Sequence, residues 1–424
     1  MKPAKFWTAR LKPFAWYSAL LFPFFWLVIG GCLRTPFLLG CGLLGIYRLR
    51  QERLLPRLRA YGSWLIPMAI LTAMGLLRPY SESAVISPIW YILVLFYAVP
   101  AGILVARAAD HSAAVLNWVC AFLMLGFGAW SYLVMGQIDL TEVVRITNAV
   151  ATRVDQKYPA ELFGIFSWDN VKMAIIPWCA YPLAAVGAVA CRGTLLSRAI
   201  WVIAGGLGAY VAGAFLTRSV FLADAFAIGI VLSVLLLRAD RKTLFTVTVT
   251  LLFLAGVLFE VVHSVGVVNE SVTGLLDRFS YTSDDTRQYL WADAAKLIPS
   301  NPIGGGDALL EDHLWAHNLP LDMGLLYGIP GIVSITCLLG MLTASVVRWT
   351  FALRGSVEAF EVTFLSVFVA ALVSCLISPP DLAFITPLVF IGVFARERTC
   401  MLPSRVYRRQ AIRHSPLPAP HAVT

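Results

Sequence analysis

The sequence predicts an all-α, polytopic integral membrane protein, and three observations carry that prediction. Of its 424 residues 59% are hydrophobic and only 13% are charged, with a mean hydropathy of +0.77. A water-soluble domain needs far more polar surface than this. Apolar runs of roughly 18–25 residues, each able to cross about 30 Å of hydrocarbon as a helix, recur along the whole chain. The cationic residues, which leave a net charge of +9, collect in the segments between those runs.

The runs fall near residues 14–31, 33–47, 62–77, 86–107, 113–135, 171–191, 199–216, 220–237, 243–265, 323–347, 361–378 and 382–395. They make about twelve spans, of which the second and third are short enough to tilt or re-enter. An even number places both termini on one side. With that topology most Lys and Arg share one face. Arg48, Arg50, Arg53, Arg57 and Arg59 lie in one short loop, and Arg396, Arg398, Arg405, Arg408, Arg409 and Arg413 lie in the tail. Cytoplasmic loops carry the excess of Lys and Arg, so this face is the cytoplasmic one. The net charge is therefore a topology signal and not a nucleic-acid footprint.

As an order of parts, residues 1–265 hold nine membrane helices, 266–322 form an outer loop, 323–396 hold three more helices, and 397–424 are a basic tail expected to be disordered. Lys2, Lys5, Arg10 and Lys12 precede the first apolar run as in a secretory signal, but no small-residue cleavage site follows. An uncleaved first helix is the expectation. The eight cysteines (32, 41, 120, 179, 191, 337, 375 and 400) sit in or beside apolar runs without metal-ligand spacing and read as small hydrophobes.

Two outward segments are long enough to fold. In 136–170, Asp139 precedes a stripe of Leu140, Val143, Val144, Val150 and Val154, and Glu142 sits three residues after that Asp, the pattern of a capped amphipathic helix on the membrane surface. Arg145 and Arg153 lie on it, and Ser167-Trp168-Asp169-Asn170 leads to the next span. In 266–322, Asp284 and Asp285 open a helical pattern through Leu290, Trp291, Ala294, Ala295 and Leu297, with Lys296 near its end. Those charges suit the helix dipole. Pro299, Asn301 and Pro302 are expected to stop it, and Gly304-Gly305-Gly306 to make a flexible turn before a helix entering the membrane near 323.

The outward arginines are Arg34, Arg78, Arg145, Arg153, Arg218, Arg278 and Arg287. Arginine stays charged and presents paired planar donors that fit phosphate oxygens. Arg34, Arg78 and Arg153 read as interface or loop ion-pair residues. Arg218, in the tight Thr217-Arg218-Ser219 turn, and Arg287 read as ligand binders, while Arg145 and Arg278 fit either description. The imidazole of a residue such as His317, with a reference pKa of about 6.5, can accept a proton from a hydroxyl at neutral pH. His313, Asp307, Glu311 and Asp312 lie nearby, but their spacing matches no familiar metal-ligand set. Asp224 and Glu260 fall in apolar spans, where an acid marks a functional site or pairs with a cation such as Arg218.

Four pieces now stand in order. They are Arg287-Gln288-Tyr289-Leu290-Trp291, then Asn301-Pro302-Ile303-Gly304-Gly305-Gly306, then His317-Asn318, and nine residues later Gly328-Ile329-Pro330-Gly331. With the Thr217-Arg218-Ser219 turn, this order resembles the O-antigen ligase and O-antigen polymerase superfamily of bacterial envelope glycosyltransferases. The resemblance covers residues 214–335; the first half of the chain matches in hydropathy only. It implies a GT-C-like fold with a helical periplasmic cap in the inner membrane. The implied chemistry is a metal-independent, inverting glycosyl transfer that uses no cofactor. The implied donor is an undecaprenyl-pyrophosphate-linked O-antigen and, for a ligase, the acceptor is lipid A–core. Carried over by position, Arg218 and Arg287 bind the pyrophosphate with help from Arg145 or Arg278. His317 is the base, and Asn318, Gly328 and Gly331 are motif positions. An O-antigen polymerase or protein O-oligosaccharyltransferase stays open beside the ligase. A transporter is a more distant alternative, because the sequence has no internal repeat. Oligomeric state is open.

Overall fold

The computed structural model describes residues 13–23, 34–77, 88–135, 161–162, 166–167, 286–305, 316, 318–353, 358–377 and 382–413, with isolated helical positions between 196 and 252. Apart from short loops, the described residues are helical, with one exception. Two-residue strands β1 (Glu161–Leu162) and β2 (Phe166–Ser167) pair antiparallel, with Glu161 opposite Ser167. No residue pattern in that stretch pointed to this pair. Its minimal length leaves the helical class unchanged.

The helices are α1 (13–23), α2 (Arg34–Gln51), α3 (Gly62–Leu77), α4 (Pro88–His111) and α5 (Ala113–Met135). After them come α6 (Thr286–Ser300), α7 (Leu319–Ala352), α8 (Ala359–Ile377) and α9 (Leu382–Arg413). A 3-10 turn, Leu55–Tyr61, leads directly into α3. Among the described residues four helical stretches are long and apolar enough to cross a membrane: Leu55–Leu77, Tyr91–His111, Leu319–Ala352 and Ala359–Ile377. Large apolar side chains such as Leu76, Leu77, Val333 and Phe351 are exposed on these helices, a surface suited to lipid and not to water.

Packing follows from small residues and rings at the helix crossings. α9 packs on α4 and α7, α2 on α4, α3 on α7, α8 on α9, and α6 on α7. A Cβ on Gly102 of α4 would lie 2.8 Å from Val393, and one on Gly392 of α9 would lie 2.5 Å from Leu342. Backbones that approach this closely gain dispersion contacts, the main attraction between helices in lipid. Trp349, Phe360, Phe364 and Phe394 meet edge to face with centroids 5.0–6.1 Å apart. Each such pair adds about 0.5–1.5 kcal/mol beyond simple burial.

Two groups of polar contacts mark opposite ends of this bundle. At one end Asn318, opening α7, donates Nδ2 to the carbonyl of Leu376 at the close of α8 (3.1 Å), and Tyr91 of α4 donates to Met323 Sδ (3.1 Å). At the other end Arg398 of α9 binds both Asp110 of α4 and Glu361 of α8. Arg57 pairs with Glu397, whose other oxygen accepts from Tyr61 (3.0 Å). Arg396 lies over the rings of Tyr61 and Trp64, 5.0 and 5.6 Å from their centroids. Along α4, 19 residues separate Tyr91 from Asp110, or roughly 28 Å of helix.

Two sequence expectations need correction. α9 does not stop at the membrane edge near 395 but continues helical to Arg413. The ion pairs and ring contacts of Arg396, Glu397 and Arg398 hold its backbone past that edge. α6 runs through Pro299 to Ser300, so that proline lies in the last turn and does not end the helix. α7 starts at Leu319, directly after the polar stretch, for a reason that belongs to the site.

Candidate functional site

α6 and the first arm of α7 form a small cap with its own core. Leu290, Ala294 and Ile298 recur every fourth residue of α6, which gives one apolar stripe. The stripe packs on Leu325 and Ala316, flanked by Trp291, Leu297, Leu321 and Ile332. Asn301 finishes α6: its amide and its Nδ2 both donate to the carbonyl of Leu297, each at 3.0 Å. That satisfies a carbonyl the helix end would otherwise leave unmatched.

The loop after α6 is docked and not the flexible turn its glycines suggest. Gly304 and Gly305 have φ of 100° and 96°, and Gly304 N–H donates to Asn301 O (2.8 Å). Gly305 N–H then donates to Leu325 O, and Ile329 N–H to Pro302 O, both at 2.9 Å. The loop thus occupies a break in α7. Gly328 makes the break, with φ 68° and ψ −152°, a conformation available essentially to glycine alone. A Cβ there would lie 2.1 Å from the Pro302 oxygen. Pro330 follows in the first turn of the second arm, where its missing N–H costs nothing. Gly331 lets the arms close, since a Cβ on it would lie 2.1 Å from Met323 O. The Asn301–Gly305 stretch and the Gly328/Gly331 pair, distant in sequence, are therefore one interlocked feature.

Asn318 begins α7. Its backbone is extended, its Oδ1 accepts from Leu321 N–H (3.2 Å), and Pro320 stands at the helix start. Asn, a proline and an acid in the first turn are the usual signals of a helix N-terminus. This cap fixes the start of α7 at Leu319. The acid, Asp322, is 1% exposed. One of its oxygens accepts from Ala316 N–H (2.6 Å) and the other from Asn318 N–H (3.0 Å). Ala316 is also held from α6, because Trp291 Nε1 donates to its carbonyl (2.8 Å).

Of the residues singled out in the sequence, Asn318, Gly328 and Gly331 meet in this cap. Arg287 occupies the first turn of α6, one helical turn before Trp291. His317, Arg145, Arg218 and Arg278 lie outside the described residues, as do Asp307, Glu311, Asp312 and His313. The two neighbours of His317 in the chain are nonetheless the pair that Asp322 grips. Sequence reasoning passed over Asp322, whose signal was an acid four residues after an Asn helix cap.

Compared with models of known protein families and with curated proteins, the sequence matches none. The arrangement itself consists of a rigid, hydrogen-bonded backbone on both sides of position 317. It joins the helix that carries Arg287 and stands at the bundle end opposite the Arg57–Arg398 ion pairs.

Proposed function

We propose that this protein is a lipid-linked glycosyltransferase, an O-antigen ligase acting at the periplasmic face of the bacterial inner membrane. One observation carries the reading. The separated motif pieces that resemble the ligase and polymerase superfamily interlock in space, with the Pro302 loop seated in the Gly328 break and Trp291 and Asp322 holding the chain on either side of His317. Independent sequence accidents would have no reason to converge on one cap.

The proposed architecture is GT-C-like, with about twelve spans, both termini cytoplasmic and the cap outside. The separation of the Arg57, Arg396 and Arg398 end from the Asn318 end supports that orientation. In the reaction an acceptor hydroxyl oxygen of lipid A–core attacks the anomeric carbon of the O-antigen. His317 takes the hydroxyl proton, and the bond from that carbon to the pyrophosphate oxygen breaks with inversion. The electron pair leaves on undecaprenyl pyrophosphate, whose charge Arg218 and Arg287 meet, with Arg145 or Arg278 beside them. The leaving group is already good, so positioned cations and one base supply enough stabilisation.

Reconstitution tests this. Purified protein receives lipid-linked polymer together with either lipid A–core or short lipid-linked units. Transfer to lipid A–core supports the ligase, and extension of the short units would assign a polymerase instead. Movement of the lipid across the bilayer without a new glycosidic bond would reject both.

A further inference from the structure

We propose that Asp322 is a positioning residue for His317, acting through the backbone amides of its chain neighbours Ala316 and Asn318; this rests on the functional reading above. The carboxylate is buried at 1% exposure, and its two oxygens are spent on the N–H groups of Ala316 and Asn318, at 2.6 and 3.0 Å. No cation shares it among the described residues, so its contacts there are to backbone alone. An ordinary helix start does not need this. Asn318 already caps α7 through Leu321 N–H, and Asp322 reaches back past that cap to Ala316, two residues outside the helix. Trp291 fixes the carbonyl of the same Ala316 from α6. Three side chains on two helices therefore immobilise the residues flanking one histidine.

Such a bracket suits a base that must meet a hydroxyl proton within hydrogen-bond reach, where displacement of about 1 Å costs on the order of a hundredfold in rate. Asn in place of Asp keeps the size but presents an NH2 to one of the two amides, so one grip is lost. In Asp322→Asn, kcat for glycosyl transfer falls about 10- to 100-fold with KM for donor and acceptor unchanged. The same substitution made in His317→Ala leaves the residual rate where His317→Ala alone puts it, because the residue acts through the histidine. Hydrogen exchange at the amides of residues 316 and 318 speeds up in Asp322→Asn.

Should Asp322→Asn fail to accumulate as folded protein, Asp322→Glu, which keeps the charge and moves the oxygens, is read by the same criteria. Transfer within twofold of the wild type overturns the proposal. A further rate loss in the His317→Ala background also overturns it, since that is the mark of a merely structural acid. Wild-type protein that transfers no sugar sinks the glycosyltransferase reading and this role with it. Active wild type with an unaffected Asp322 variant sinks this role alone.

Discussion

The amide of Ile329 donates to the carbonyl of Pro302 at 2.9 Å, across a break in α7 that only a glycine at 328 can make. This bond joins the loop that leaves α6 to the helix that opens at Asn318. It turns two glycine-containing stretches into one rigid cap. The cap is what brings the helix of Arg287 and the neighbours of His317 together.

Gly328→Ala is the sharpest test of that joint. The added methyl meets the Pro302 oxygen, and the backbone conformation is strained by about 1–3 kcal/mol. The detergent-purified variant should melt below the wild type and lose transfer. Gly340→Ala, where nothing lies within 4 Å of the new methyl, should melt no lower than wild type. Equal melting of the two variants would count against the docked loop.

Asn318 holds both the start of α7 and the end of α8. Removing its cap in Asn318→Ala costs about 0.5–2 kcal/mol. Asn318→Asp keeps an acceptor for Leu321 N–H but loses the donor to Leu376 O, so it should fall between Ala and wild type. Chemical denaturation of the three proteins reads the order, and an Asp variant no better than Ala would contradict it.

At the opposite end, Arg398 is 8% exposed and serves Asp110 and Glu361 at once. Arg398→Met leaves two carboxylates without their partner and should cost about 3–5 kcal/mol. Adding Asp110→Asn and Glu361→Gln to that variant should recover part of the loss. Unfolding midpoints measure both steps, and a single variant as stable as wild type would show that the cluster carries no such weight.

His317→Ala should insert and fold normally yet transfer sugar only at a small residual rate, whereas Arg287→Ala should chiefly impair turnover at limiting donor. Steady-state rates against donor concentration separate the two. Full activity of the first variant removes the base from the mechanism, and an unchanged donor dependence of the second removes the phosphate-binding role.

Much of the helical frame was legible in the sequence because an apolar run must become a helix in lipid. α3, α4, α5 and α8 lie close to those runs. The charged continuation of α9 was not, since Arg398 finds its partners 288 and 37 residues away and no local pattern shows such pairs. The start of α7 was legible in the end of the polar stretch at Asn318, with Pro320 and Asp322 in the first turn. The glycines around 304 read locally as freedom. Only the fold shows that Leu325 and Ile329 bind that loop down.

Sidedness decides the account, since the donor and acceptor named here meet outside the cytoplasm. The direct measurement places single cysteines at His317 and at Arg408 in a protein freed of its eight natural cysteines, and treats intact spheroplasts with a membrane-impermeant thiol reagent. The account predicts labelling at 317 before the membrane is opened and at 408 only afterwards. Labelling at 408 first, with 317 protected until lysis, would contradict it.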